Sequence, residues 1–583
     1  MKRCPQCNRI ENDEALKYCR VDGATLVSES SSLGDEAGTA QLAADASEVH
    51  TSILPHSTQA NINRATAPTT VLTPEASLTT TSELSKPRSW KRLLLAIALI
   101  AAVVSVAILV GGYFYFSRKS NTAIQSIAVL PFENRSGSSD TDYLSDGLAD
   151  SLIYRLSQLP NLKVSPTSSV IRYKGKETDV AQVAKELEVD AVMSGRLVQR
   201  GDDLSISVQL IDARTKKLLW AEQYERKMSD LLATQREIAT SIAQKLQLKL
   251  AGNEKGITKK YTNSNEAYQL YLKGRYHYAK RTKEDLQKAI DYFQQAVDLD
   301  PNFALALAMI ADTYAVMPAY PYLAPKDAFP KAKAAAARAL AIDPTLAEAH
   351  TALGMSLGMY DWHWDEAERE FKRAIELDDK NSLAHLRIGI CYYLATGRAD
   401  EGIQETQRAI ELEPLDLVSN ANLIFVYIGA GRKNEALAQA RKVADLEPDF
   451  VLGRYQMGLA YLDNGMYQEA IALTEKPLRS DPNDQLMLQI AGYAYAKLGR
   501  HADANAVISR FREIAKTQYV ISFFISTTYA ALGERDKAFA ELENGYQQHD
   551  WRMAALLKKD PLIDSLRDDA RYNDLLKRMN LPE

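Results

Sequence analysis

The chain has 583 residues, 46% apolar and 25% charged, which exceeds one ordinary domain and matches the composition of folded protein. Its net charge of -5 argues against a nucleic-acid partner, which would want a basic surface. Of four cysteines, three stand at 4, 7 and 19 and one alone at 391, which excludes a disulfide-stapled framework.

The chain opens with a run containing CPQCNRIENDEALKYCRVDG. Cys4 and Cys7 form a Cys-x2-Cys knuckle, and Cys19 with Asp22 repeats that spacing with a carboxylate in the fourth place. Such a ligand set can close a tetrahedral structural zinc site, and a head this small would draw most of its folding energy from the metal. With every position filled by protein, no open site is left for hydrolysis. Residues 1–27 resemble the zinc-ribbon heads of many bacterial membrane proteins, whose pattern has four cysteines, so Asp22 is a departure. Residues 28–89 hold no aromatic side chain, are rich in Ser, Thr and Ala, and read as a disordered linker.

Residues 93–116, LLLAIALIAAVVSVAILVGGYFYF, carry no charge, and about 20 apolar residues suffice to cross a bilayer. Lys86, Arg88, Lys91 and Arg92 precede the run, against Arg118 and Lys119 after it. The bias predicts one transmembrane helix in an inner membrane, with a cytoplasmic N-terminus and extracytoplasmic C-terminal domains.

A buried strand is predicted over 127–132, then a helix from the three-and-four spacing of Leu144, Leu148, Leu152, Leu156 and Leu159. A strand near 162–164 and a helix over 179–188 follow. Leu204, Ile206, Val208 and Leu210 alternate onto one face of a strand. Another strand near 217–224 and a helix over 229–249 complete a mixed α/β domain. Asp146-Gly147 is expected to cap or start a helix, Asp212 with Thr215 to form a hairpin turn, and Trp220 to lie in the sheet core. SIAVLPFENRS, DGLADSLIYRLSQLPNLKV and GRLVQRGDDLSISVQLIDARTKKLLWAEQYERK resemble the TolB amino-terminal-like domain over 124–248. That resemblance implies an extracytoplasmic interaction or assembly domain without chemistry of its own.

The second half is periodic. Tyr427, Tyr461, Tyr495 and Tyr529 recur every 34 residues, with Gly431, Gly465, Gly499 and Gly533 four places on and Ala436, Ala470, Ala504 and Ala538 five further. This is the tetratricopeptide pattern: the glycine turns one helix into the next, and the alanine lets them approach. Leu-Asp-Pro, Ile-Asp-Pro, Leu-Glu-Pro or Ser-Asp-Pro closes most units, while Leu377-Asp378-Asp379 closes one without proline. About eight repeats are predicted over 267–550, with capping helices over 551–583. Cys391 is read as a buried helix residue, His350 and His385 as packing or surface positions, and Trp362-His363-Trp364 as a packed turn.

The predicted fold class is therefore multidomain: a small zinc ribbon, a single transmembrane helix, a TolB-amino-terminal-like α/β domain and an all-α tetratricopeptide superhelix. Resemblance to the tetratricopeptide family implies a concave groove for partner proteins or peptides. Arg387, Asn420, Asn422, Arg454 and Tyr455 are its candidate partner-binding residues. No catalytic or cofactor-binding residue is expected, because no Gly-rich nucleotide loop and no HRD or DFG pattern occurs. The expected role is a membrane-anchored interaction scaffold. The alternative is a non-catalytic envelope receptor passing an outer signal to a separate cytoplasmic partner. Partner identity and oligomeric state stay open.

Overall fold

The computed structural model describes residues 2–3, 10–11, 27–28, 124–137, 141–159, 162–176, 179–246 and 259–582. The chain divides into two compact units, 1–99 and 100–583. In the first, strand β1 (Lys2–Arg3) lies between β2 (Ile10–Glu11) and β3 (Val27–Ser28), antiparallel to both.

Three expectations are corrected here. Among the described residues no helix is long and apolar enough to cross a membrane. Among them, too, no group of three or more His, Cys, Asp or Glu side chains could hold a metal ion. Cys4, Cys7, Cys19 and Asp22, the linker over 29–89 and the apolar run 93–116 lie outside the described residues. A structural zinc needs converging ligands and a span needs about 20 apolar residues in one helix; the described structure supplies neither. The described residues therefore give the zinc ribbon, the transmembrane helix and the inner-membrane placement no support. The membrane-anchored scaffold and the envelope receptor lose that part of their basis.

The second unit begins with an α/β layer. Its strands are β4 (Ser126–Val129), β5 (Glu133–Asn134), β6 (Lys163–Val164), β7 (Ala191–Arg200), β8 (Asp203–Asp212) and β9 (Lys217–Lys227). They run β6-β4-β7-β8-β9, with β5 also paired to β7, so the sheet stays open and does not close on itself. β4 is parallel to β6 and β7, whereas β7, β8 and β9 form an antiparallel meander. Leu204, Ile206, Val208 and Leu210 are all buried, as alternation requires. The Asp212 carboxylate accepts the backbone N–H groups of Arg214 and Thr215 at 2.9 and 3.1 Å, closing the β8–β9 turn.

Helices α1 (Asp142–Ser157), α2 (Val180–Leu187) and α3 (Leu231–Lys245) accompany the sheet. Gly147 lies inside α1 instead of capping it. A Cβ there would sit 2.9 Å from Leu272, so this glycine sets how closely α1 approaches the first repeat helix.

Eight helix pairs follow. They are α4 (Asn265–Tyr278) with α5 (Lys283–Leu299), α6 (Ala304–Val316) with α7 (Pro325–Ile342), and α8 (Ala347–Ser356) with α9 (Trp364–Leu377). Next come α10 (Ser382–Ile388) with α11 (Ala399–Leu412), α12 (Leu417–Gly429) with α13 (Lys433–Leu446), and α14 (Val451–Asp463) with α15 (Tyr467–Ser480). Last are α16 (Gln485–Lys497) with α17 (His501–Ile514), and α18 (Ser522–Leu532) with α19 (Arg535–Gln547). α8 and α10 each continue into a wider π-helical turn, Leu357–Asp361 and Gly389–Leu394.

The periodic residues act as their chemistry demands. Gly431, Gly465, Gly499 and Gly533 turn each pair with φ between +71° and +77°, the left-handed region that favours glycine. In the third pair Trp362 takes that place at φ +56°. Asp300, Asp343, Glu447 and Asp481 end their helices in extended conformation, as residues before proline tend to.

After α19 come α20 (Trp551–Leu556), a 3-10 turn (Pro561–Leu566) and α21 (Ala570–Arg578). Every residue from Trp551 to Leu557 is buried, because the segment turns back onto the repeats, while α21 lies against the last pair through Arg571–Asp536 and Arg578–Glu543 ion pairs.

Candidate functional site

The α/β layer rests on the repeats through polar contacts spread along the array. The Tyr268 hydroxyl donates to Gln235 at 2.8 Å, Arg275 pairs with Asp150 at 2.6 Å, and Ser168 donates to Glu413 at 2.8 Å. Between these contacts lies a cavity of about 1080 Å³, walled by α1, β4 and β6 on one side and by the first five pairs on the other.

Carboxylates outnumber cations around it. Asp150 is answered by Arg275 and by the Thr167 hydroxyl at 2.6 Å. Asp312 accepts from the Tyr278 hydroxyl through Oδ2, while its buried Oδ1 has no partner. Glu348, Asp378 and Glu413 have no lysine or arginine of the described residues at ion-pair distance. Burial pushes all three carboxyls above their ordinary range. At Glu413 the Asp416 charge adds to that push, and hydrogen bonds from Ser382 and Ser168 oppose it. Sequence reasoning read Asp378 and Glu413 only as helix-ending residues. Both stops place their side chains in the cavity lining, Asp378 from an extended backbone.

The five predicted groove residues do not meet there. Asn420 is fully buried: its Nδ2 donates to the Pro414 carbonyl at 3.1 Å, and its Oδ1 accepts from Gln439 at 3.0 Å. His385, one repeat earlier, bonds the Asp379 carbonyl at 3.2 Å and Glu405 at 2.5 Å; His350 bonds the Pro344 carbonyl at 3.1 Å and Glu370 at 2.6 Å. Arg454, one repeat later, pairs with Asp449 at 3.0 Å. The four side chains form a recurrent clamp tying an inner helix to the loop before it. Their spacing of 34–35 residues was the available signal. At His350 burial opposes protonation, but the Glu370 carboxylate and the Pro344 carbonyl outweigh it and hold the imidazole above its ordinary range. Asn422 donates to the carbonyl of Val418 in its own helix at 2.9 Å, and Arg387 is buried on α10.

Tyr455 faces the inner side of the array, and that side is occupied. Its hydroxyl donates to Gln489 at 2.5 Å, and the guanidinium of Arg552 lies over its ring at 4.9 Å. The predicted Trp-His-Trp turn is part of the same seat. Trp362 stacks on His549 at 4.4 Å and Tyr546 at 5.0 Å, and the Trp364 indole donates to the Met579 carbonyl at 2.8 Å.

Tetratricopeptide models match residues 278–303, 363–416, 426–485 and 455–518. Over those spans the helix pairs are tetratricopeptide repeats. Residues 123–245 match the HilA/YgeH-like transcriptional regulator, second domain, which corrects the TolB amino-terminal-like assignment. Among curated proteins, the candidate adenylate cyclase 3 of Rhizobium meliloti (strain 1021) is 34% identical over 187 residues, 32% of either chain. Transcriptional regulator HilA of Salmonella typhimurium is 25% identical over 237 residues, 40% of either chain. The chain thus spans well under half the length of these relatives. A thermophilic tetratricopeptide protein of Thermus thermophilus is 20% identical with a TM-score of 0.29, covering 34% of this chain and 99% of its own. One from Parabacteroides merdae ATCC 43184 is 13% identical with a TM-score of 0.31, covering 44% and 93%.

Proposed function

We propose that the chain is a non-catalytic protein-binding scaffold whose open recognition site is the carboxylate-lined cavity, and that it takes a lysine- or arginine-bearing segment of a partner protein. One observation carries this reading: Glu348, Asp378 and Glu413 line one cavity, are raised by burial and form no ion pair with a described lysine or arginine, although the charges of Arg275 and Lys380 act on the first two. Sheltering a carboxyl without a counter-charge is unfavourable, and a basic partner segment would relieve it. The expected modules, 124–248 and 267–550, then supply the two walls of the site. Of the predicted groove residues, Arg387, Asn420, Asn422 and Arg454 have no part in it.

Calorimetric titration of the full chain with an oligolysine peptide tests the reading. Binding is expected to weaken as salt rises. It should fall about tenfold, roughly 1.4 kcal/mol, in the Glu348→Gln, Glu413→Gln double variant. Arg454→Ala should bind as the parent does. Equal affinity of the double variant and the parent would sink the proposal.

A further inference from the structure

Arg552 is 3% exposed and its Nε has no hydrogen-bond partner. Among the described residues no carboxylate stands at ion-pair distance from its guanidinium, and the buried Asp550 carboxyl, two residues back, feels its charge only from beyond that distance. A guanidinium withdrawn from water normally needs a counter-ion. Here aromatic faces take that role: Tyr455 at 4.9 Å, Trp551 at 5.1 Å, Phe425 at 5.6 Å and Phe524 at 6.0 Å from the guanidinium carbon. Phe425, Tyr455 and Phe524 belong to α12, α14 and α18, so three different repeats build the box, and the cation comes from outside the array. Desolvated aromatic rings of this kind attract cations strongly, and planar guanidinium also stacks on them.

The rest of the segment is held as a ligand would be. His549 Nδ1 bonds the Tyr360 carbonyl at 2.7 Å, and the Lys558 ammonium donates to the Thr396 carbonyl at 3.2 Å. Asp550 starts α20 by accepting the backbone N–H of Arg552 at 2.9 Å, and it accepts that of Phe523 at 3.0 Å. Tyr360 lies in one π-helical turn and Thr396 just past the other, where the backbone departs from regular α-helix.

We propose that the inner face of the repeat array is an arginine-reading channel, that residues 549–567 are its resident occupant, and that it takes in trans a helical partner segment bearing an arginine beside an aromatic residue in an apolar run. The match between an aromatic box and a lone guanidinium identifies that chemistry. The channel shares no named residue with the carboxylate cavity, so the two readings stand or fall separately. The resident segment is tethered directly to α19 and acts at high effective concentration, so a partner competes once the tethered copy is weakened.

The test uses the full chain carrying Arg552→Ala and a fluorescent peptide of residues 549–567 as probe. The peptide should bind this variant at least tenfold tighter than it binds the parent chain. A peptide carrying Arg552→Ala should bind the variant at least tenfold more weakly than the parent peptide does. No binding, or equal binding of both peptides, overturns the channel. Concentration-dependent dimers of the parent chain that the peptide dissolves would overturn the foreign partner, making a second copy the occupant. Should the variant fail to fold, hydrogen exchange on the parent chain decides. Amides of 551–566 exchanging ahead of those in α12 and α14 support an exchangeable occupant; exchange only together with them overturns it.

Discussion

The cavity beside the α/β layer and the inner face of the repeats draw on the same stack of helix pairs, yet they end up opposite in charge and occupancy. The cavity, about 1080 Å³, holds Glu348, Asp378 and Glu413 beyond ion-pair distance of any described lysine or arginine. The inner face holds a buried cation, Arg552, and its own chain fills it. A helix stack exposes more concave surface than its stability requires. What becomes of each surface is settled by what the flanking segments bring to it. The α/β layer packs its core onto the first repeats, adds polar contacts further along the array, and leaves room between them. The C-terminal segment covers the other with a continuous buried run.

If the inner face is filled by true packing, its anchor should be expensive to remove. Trp362 is 6% exposed and stacks on both His549 and Tyr546. Trp362→Ala should cost about 3–5 kcal/mol, read from urea denaturation of the full chain. A loss below 1 kcal/mol would break the comparison, because the segment would then lie on the repeats without being held.

The next effect depends on pH. Burial, with the Asp463 and Asp564 charges, pushes the Asp560 carboxyl up to about 7, against the opposing Arg567 and the Leu562 N–H. Asp550 is pushed to about 6, chiefly by burial. A carboxyl raised on folding contributes stability that is complete below its ordinary 3.8 and is lost as pH rises through the folded value. Stability should therefore fall between pH 5 and pH 8. Asp560→Asn, which keeps an oxygen to cap the Leu562 N–H, should remove at most about 3 kcal/mol of that fall. An unchanged pH slope in the variant would place the titration elsewhere.

The two surfaces also differ in how far they could be read from sequence. The repeats were legible because tyrosine, glycine and alanine recur every 34 residues and act within one pair: Gly431 turns the chain that Ala436 then packs. β8 was legible from four alternating residues. The cavity was not, because its unpaired acids come from α8 and from two helix stops separated by a repeat, and nothing local marks a carboxyl as sheltered. The filled inner face was hidden for the same reason: Trp364 bonds a carbonyl 215 residues away. Asn420 and Arg454 looked like groove residues because they are polar residues on inner helices. Their alignment with His350 and His385 shows that the polarity serves the clamp instead.

A control separates specific release of the inner segment from general weakening. Gly431 has φ +71° and open space where a Cβ would stand, so Gly431→Ala should cost about 1 kcal/mol through backbone strain alone. It touches neither concave surface. Global stability should fall while oligolysine affinity stays constant. A change in that affinity would mean that the cavity reports the state of the whole array and not of its own carboxyls.

The smallest effect has the opposite sign and bears on the cavity alone. Glu413 is raised by burial and by Asp416, and its bonds from Ser168 and Ser382 do not cancel that push. Its contribution to stability is thus lost as pH rises, and at pH 8 the folded chain carries a sheltered charge it would be better without. Glu413→Gln removes the charge and keeps one acceptor for those hydroxyls. It should leave the chain unchanged or stabilise it by up to about 1 kcal/mol at pH 8, with the gain shrinking at pH 5. Arg552→Ala, by contrast, should destabilise at both values, because it empties a box whose rings have no other occupant. A Glu413→Gln variant that lost stability at pH 8 would show the carboxylate already satisfied by its own chain, and the cavity would then have no vacancy for a partner's cation to fill.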